Sequence, residues 1–206
     1  MKERIAVVVA HIDDAEIWAG GTLIKYKGQA DIMTYVLRCN DEIRKEEALQ
    51  SDKKLKSKSV CVQAEQDLYS CLRDFKPTIL ITHWQMDSHP EHSEVFNVVQ
   101  KVLPYLQIFE NIRPNVYCME TYNWVGIYPS SIFQPTNYID ISKVWKQKIE
   151  LIEIFKSQPV QYWKDMITRQ NSLAGAQVGV EYAECFIQLP VLGVLRCSEE
   201  FLKGNT

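Results

Sequence analysis

Residues 5–23 read IAVVVAHIDDAEIWAGGTL, and this stretch decides the fold. Six apolar residues, Ile5 to Ala10, come first without a break. A short run with three valines predicts a fully buried strand, because β-branched side chains suit a pleated, covered surface. The run stops at His11, Asp13 and Asp14. A helical pattern follows from Ala15 to Lys25, interrupted only by Gly20 and Gly21. A histidine and two carboxylates thus stand where a buried strand gives way to a helix. In an open α/β sheet that is where ligands bind, in the crevice outside the carboxyl ends of the strands. Charged groups placed there cost desolvation unless something pairs with them, and a divalent metal would do so.

Outward from this stretch, strand and helix alternate. Ile32 to Leu37 predicts a second strand, and Asn40 or Asp41 can cap a helix running to about Lys58. Ser59 to Gln63 predicts a short strand. Ala64 to Phe75 has helical periodicity, with Leu68, Cys71, Leu72 and Phe75 on one face. Thr78 to Thr82 (TILIT) predicts another buried strand. A helix from Ser93 toward Gln107 should kink or break at Pro104. Val116 to Glu120 and Tyr138 to Ile141 predict strands. Ser142 is placed to cap an amphipathic helix over 143–156, and a further helix should end near Leu173. Ala174 to Val180 reads as loose, and Tyr182 to Leu189 as buried again. The alternation argues for one α/β domain over residues 1–206, with a mostly parallel sheet covered on both faces.

Composition narrows the function. The chain has 206 residues, 46% hydrophobic and 24% charged, which suits a single globular domain. A net charge of −3 carries no nucleic-acid or anionic-membrane footprint. No run approaches the roughly 20 apolar residues of a membrane span. Six cysteines, at 39, 61, 71, 118, 185 and 197, form no CxxC pair. They read as reduced, mostly buried thiols, so the expected location is cytoplasmic. Nothing marks an interface, and a homo-oligomer stays open.

A second polar cluster follows the TILIT strand: His83, Asp87, Ser88, His89, Glu91 and His92. All four histidines of the chain therefore fall at the carboxyl ends of predicted buried strands. Scattered core histidines would not do this, so the set points to a site. His11 and Asp14, three apart at a helix start, can face one point, and His92 begins a helix after a different strand. A His₂Asp set suits catalytic zinc, which takes three protein ligands and keeps a position open for water. Fe2+ is the alternative such a set can hold. Asp13 is left free to act as general base toward that water, or to cap the helix. His89 can stabilise an oxyanion or protonate a leaving amine, or serve as a structural residue. Trp84, Tyr122, Trp124 and Tyr128 lie in loops near the same sheet edge, where they can stack on a sugar or pack locally. Asp87 is a further candidate on the substrate side.

These residues resemble a known family. AHIDDAEIWAGGTL resembles the AHPDD(A/V)E…GGTL signature of the PIG-L/LmbE-like deacetylases, and DSHPEHSEV resembles their D.HPDH motif. Arg44 and Glu47 stand where that family has Arg-x-x-Glu. FKPTILITH, then FQPTNYIDIS with Lys148 and Ser157-Gln158, then EYAECF, extend the likeness over nearly the whole chain. Three positions depart from the pattern. Ile12 replaces Pro. Trp18 stands where Gly is common, which should narrow the pocket floor or change how the helix packs. Glu91 replaces the Asp that supports the first histidine of the motif, here His89.

The resemblance implies a Rossmann-like three-layer fold and a zinc-dependent hydrolase that removes an N-acetyl or other N-acyl group from an amino-sugar conjugate. It implies His11, Asp14 and His92 as metal ligands, Asp13 as base, His89 as oxyanion or acid partner, and Arg44 as a grip on substrate. The alternatives are the same machinery acting on another amide or a carbamoyl bond, and a sugar-binding pseudoenzyme. A nucleotide-binding reading lacks the GxGxxG fingerprint.

Overall fold

A computed structural model describes residues 2–195 of the chain, so Cys197 lies outside the described residues. Seven strands form one sheet: β1 (Glu3–Val9), β2 (Ala30–Val36), β3 (Lys58–Cys61), β4 (Ile79–Thr82), β5 (Asn115–Met119), β6 (Asn137–Asp140) and β7 (Ala183–Leu189). Their spatial order is β3-β2-β1-β4-β5-β7-β6. The pairs from β3 through β5 are parallel, and β7 is antiparallel to both β5 and β6. The mostly parallel α/β fold expected from the alternation is the one observed.

The two-residue period of β1 explains the layers. Ile5, Val7 and Val9 pack on one face with residues of α1 (Asp14–Tyr26), α2 (Glu42–Leu55), α5 (Trp145–Ile152) and α6 (Val160–Val178). Ala6, Val8 and Ala10 pack on the other with α3 (Glu65–Phe75) and α4 (Pro90–Phe109). Because β1 is covered on both sides from Ile5 onward, its residues from there to Val9 are all apolar. The order reverses between β1 and β4, and α1 and α4 leave that point on opposite faces. A crevice at their shared C-terminal edge follows.

α1 lies between the sheet and α5, so almost all of its length is buried. Its Gly21 permits this approach: a Cβ there would lie 2.7 Å from Ile141 Cγ2. A buried ion pair locks the same region. Glu184 of β7 accepts the N–H groups of Gly21 and Thr22 and the Thr22 hydroxyl, and Lys148 Nζ lies 2.7 Å from Glu184 Oε1. Lys148 also donates to Asn171 Oδ1.

Four expectations are corrected. Of the kink or break expected at Pro104, the break does not occur: helix α4 continues through it to Phe109. Ser142 does not cap a helix; its hydroxyl exchanges hydrogen bonds with the Tyr182 backbone, and α5 spans only Trp145–Ile152. Past the end of α5, the Ser157 N–H and hydroxyl both donate to Glu47. Ala174 to Val178 is not loose but the end of α6. Cys39 and Cys61 are joined in a disulfide, so these two are not reduced thiols, and Cys71 is only part-buried. Among the described residues no helix is long and apolar enough to cross a membrane.

Candidate active site

The crevice between β1 and β4 is built by two strand-to-helix turns. The first turn puts His11 after β1 and Asp13 and Asp14 at the start of α1. His11 N–H donates to Asp14 Oδ2 at 2.7 Å, which fixes that carboxylate against its own turn. Asp13 occupies the N-cap position, yet its side chain makes no capping bond. The second turn puts His83 and Asp87 after β4, then His89 before α4, with Pro90 opening the helix. Pro suits that position because its missing N–H would have no partner in a first helical turn. Both helices thus aim their N-termini, and the partial positive charge there, into the crevice.

Three side chains converge. His11 Nδ1 lies 3.2 Å from Asp14 Oδ2, and His92 Nε2 lies 3.4 Å from Asp14 Oδ1. One ligand atom from each of His11, Asp14 and His92 falls within 4.8 Å of the others. Tetrahedral bonds of about 2.0–2.1 Å imply ligand separations of about 3.3 Å, so these spacings suit a zinc-sized ion. The donor chemistry agrees. His92 Nδ1 donates to Asp87 Oδ2 at 3.0 Å, which leaves its Nε2 lone pair facing a carboxylate oxygen. That Nε2 is buried and has no hydrogen-bond partner. Two electron-rich atoms face each other only if a proton or a cation lies between them. The residues fit a metal.

Charge effects point the same way. Burial disfavours the ionised Asp14 carboxyl, but the His92 and His83 rings and the His11 bond outweigh it and hold Asp14 well below its usual range. Burial likewise opposes the charged His92, yet Asp14 and Asp87 raise it to about 10. The same pair that would ligate a metal thus favours a positive charge between its members. Asp13 behaves differently. Burial, then the Asp14 charge, push it up to about 7, against the pull of Arg44.

The other expected residues fall into place unevenly. Arg44, on α2, sets Nη1 3.5 Å from Asp13 Oδ2. Its backbone N–H is capped by Asp41, and its Nη2 donates to Gln158 Oε1. His89 is half-buried, 5.0 Å from the His11 ring and stacked on His92 at 4.5 Å; its Nδ1 has no partner. It makes no side-chain cap. Tyr122 stacks over His92 and His89, with Trp18 edge-on beneath it at 5.0 Å.

Three candidates on the substrate side sit elsewhere. Asp87 is 1% exposed and turned inward, one oxygen on His92 and the other accepting the His89 N–H. Trp124 is buried, and its Nε1 donates to Glu120 Oε2. Trp84 packs edge-on against Phe133. Trp124 and Trp84 thus both pack locally, Trp84 with part of its surface left exposed. Glu91 bonds His11 and not His89.

His83 was grouped with the site in the sequence but given no role of its own; its Nε2 accepts the Ala10 N–H and its ring stacks on His92 at 3.7 Å. Arg38 carried no signal in the sequence; it holds Glu91 from the loop after β2.

No family profile matches the chain. Several solved structures share its fold. The N,N'-diacetylchitobiose deacetylase from Pyrococcus horikoshii, complexed with its inhibitor MPG, superposes with a TM-score of 0.76 at 19% identity, covering 92% of this chain and 85% of that one. The conserved protein TT1542 from Thermus thermophilus gives 0.74 at 21% identity, over 94% and 96%. The zinc-inhibited form of the teicoplanin deacetylase Orf2 gives 0.67 at 13% identity, over 90% and 98%. At these identities the likeness establishes the fold alone.

Proposed function

We propose that this chain is a metal-dependent hydrolase that removes an N-acetyl or other N-acyl group from an amino-sugar conjugate. The observation that carries the reading is the division of labour at the crevice. His11, Asp14 and His92 face one point, while Asp13, immediately beside them, keeps a buried oxygen that accepts no hydrogen bond and faces only the Arg44 guanidinium at 3.5 Å. The fold shared with two named deacetylases supports it.

Zinc is the metal that two imidazoles and one carboxylate favour, with Fe2+ second. When bound by His11, Asp14 and His92, it would polarise the acyl carbonyl and acidify water. The remaining work falls to side chains. Asp13 Oδ2 takes a proton from water as the water oxygen bonds to the acyl carbon. His89 offers a ring N–H to the oxyanion that develops on the carbonyl oxygen. The proton held at Asp13 passes to the nitrogen as the C–N bond breaks, so the products are a free carboxylic acid and an amine. Asp87 holds His92 in the tautomer that turns Nε2 inward. Arg44 sits against Asp13 at the rim of the crevice, where it can grip a sugar hydroxyl or carboxylate. Tyr122 walls the crevice and can stack on a sugar ring.

The test is free-amine release from a panel of N-acetylated amino-sugar conjugates, with protein stripped by chelator and then restored with Zn2+. Release that disappears on stripping and returns with Zn2+ is expected. No release from any member, at one bound Zn2+ per chain, would overturn the reading.

A further inference from the structure

Glu91 is the residue at which the histidine motif departs most from the pattern it resembles. An acid there should support His89, two residues earlier. In the structure Glu91 Oε2 accepts from His11 Nε2 at 2.7 Å, and Oε1 accepts from Arg38 Nε at 3.2 Å. Arg38 Nη2 donates to Glu94 Oε2 at 2.5 Å, so the guanidinium bridges two acids, Glu91 and Glu94, near the start of α4. No hydrogen bond joins Glu91 to His89 among the described residues.

His11 and His92, the two imidazoles expected to bind metal, are therefore built alike. His92 turns Nε2 toward Asp14 and gives Nδ1 to Asp87; His11 turns Nδ1 toward Asp14 and gives Nε2 to Glu91. Each carries a carboxylate on the ring nitrogen that faces away from the convergence point. Such a carboxylate fixes the tautomer and ring orientation of a metal-binding histidine. The two differ in how they are held. Asp87 is fixed by burial. The Glu91 side chain is 40% exposed and needs another anchor, which Arg38 supplies. Arg38 itself is placed by the extension of β2, its N–H donating to Ala10 O at 2.8 Å. One chain of contacts thus ties together the ends of three adjacent strands, β2 through Arg38, β1 through His11, and the β4–α4 turn through Glu91.

We propose that Glu91 is a positioning residue for His11, anchored by Arg38, and that it needs the full length of a glutamate to reach that ring. An Asp at this position would be shorter by one C–C bond, about 1.5 Å. It would fall short of a His11 ring that Glu91 reaches at 2.7 Å. The inference rests on the reading of His11 as a metal ligand.

The experiment is Zn2+ affinity, by competition with a chromophoric chelator, for the wild-type full chain and for Glu91→Gln, Glu91→Asp, Arg38→Met and His92→Ala. The visible spectrum of each Co2+-loaded protein is recorded alongside. Glu91→Gln and Glu91→Asp should both bind Zn2+ about 10–100-fold more weakly. Arg38→Met should lose several-fold, and the Co2+ bands should shift in all three. The thermal midpoints of the stripped proteins should match wild type, because Glu91 and Arg38 lie at the surface.

Wild-type affinity and spectrum in Glu91→Asp, with Glu91→Gln impaired, would overturn the proposal: any carboxylate would then serve. Loss of a second equivalent of metal in the Glu91 variants would also overturn it, by making Glu91 a ligand, since one atom each of His11, His89 and Glu91 also lies within 4.8 Å of the others. Failure of the underlying reading has a separate signature: wild type and His92→Ala would bind Zn2+ equally or not at all.

Discussion

Asp13 Oδ2 lies 3.5 Å from Arg44 Nη1 in a crevice that leaves only 3% of the Asp13 side chain exposed. The carboxylate is pulled two ways. Burial and the adjacent Asp14 push it up to about 7, and Arg44 resists. A general base works only when ionised, so activity should be present above that pKa and lost as pH falls through it. A cation held by Asp14 would lower it further. The expected profile is an acid limb in kcat/KM at or below pH 7. Arg44→Met removes the resisting charge and should move that limb to higher pH. Asp13→Asn should lower kcat by about 10²- to 10⁴-fold while the metal content stays at wild-type level. Near-normal turnover in that variant would remove Asp13 from the mechanism.

Asp87 acts through His92, and its loss should read as lost metal, not lost substrate. Asp87→Asn can still accept from the His89 N–H, but it gives His92 Nδ1 an amide in place of a charged acceptor. Zn2+ affinity should fall about 10–100-fold, with KM at saturating Zn2+ little changed. A raised KM at wild-type affinity would instead return Asp87 to the substrate side, where its place in the motif first put it.

The strands and the site were legible in the sequence to different depths. The unbroken apolar run of Ile5–Ala10 could only be a strand covered on both faces, and the histidines marked its edge. What the sequence could not give was neighbours. Apolar character says that Tyr182 to Leu189 is buried, not that its strand inserts between β5 and β6. Ala174 and Gly175 looked loose because they are small. They are small because the chain crosses α6 closely there: a Cβ on Gly175 would lie 2.7 Å from the carbonyl oxygens of Val180 and Glu181. Trp124 looked like a stacking platform because it is aromatic in a loop. Its partner, Glu120, is four residues earlier, but the bond requires left-handed backbone at Asn123 and Trp124 that no pattern announces. Glu91 was read by position in a motif, whereas its partner depends on the full length of its side chain and on Arg38, more than fifty residues away.

Cys39 and Cys61 show the same blindness to neighbours. They are 22 apart in sequence and meet because β2 and β3 pair with Val36 opposite Cys61. Closing a loop of that length should stabilise the chain by about 3 kcal/mol through the unfolded state. Reductant should therefore lower the denaturant midpoint of the wild type. A Cys39→Ser, Cys61→Ser double variant should start at the lowered midpoint and ignore reductant. Equal response of both proteins would place the effect elsewhere.

Lys148 and Glu184 form a pair with no exposed side-chain surface. Breaking it leaves one charge buried without its partner, at a cost of about 3–5 kcal/mol. Lys148→Met should show this in urea unfolding. Because Glu184 also holds the Gly21 and Thr22 amides of α1, the variant should lose Zn2+ affinity as well, through the far end of the helix that starts at Asp14. Unchanged affinity in a folded but destabilised variant would confine the pair to stability.

The two glycines of α1 make the sharpest contrast, since they are adjacent and equally helical. At Gly21 a Cβ would lie 2.7 Å from Ile141 Cγ2 and 3.0 Å from its Cβ, a β-branched side chain that is itself fully buried and cannot swing away. Gly21→Ala should therefore destabilise by about 1–3 kcal/mol, the usual cost of an overpacked core. At Gly20 the nearest atoms would be Lys148 Cγ at 3.7 Å and Leu151 Cδ1 at 3.8 Å, ordinary contacts. Nothing opposes the gain in helix propensity, so Gly20→Ala should be neutral or stabilising by about 0.5–1 kcal/mol. Denaturant midpoints of the two variants should thus move in opposite directions from wild type. A drop in both would mean that the α1–α5 spacing is tighter than these contacts describe.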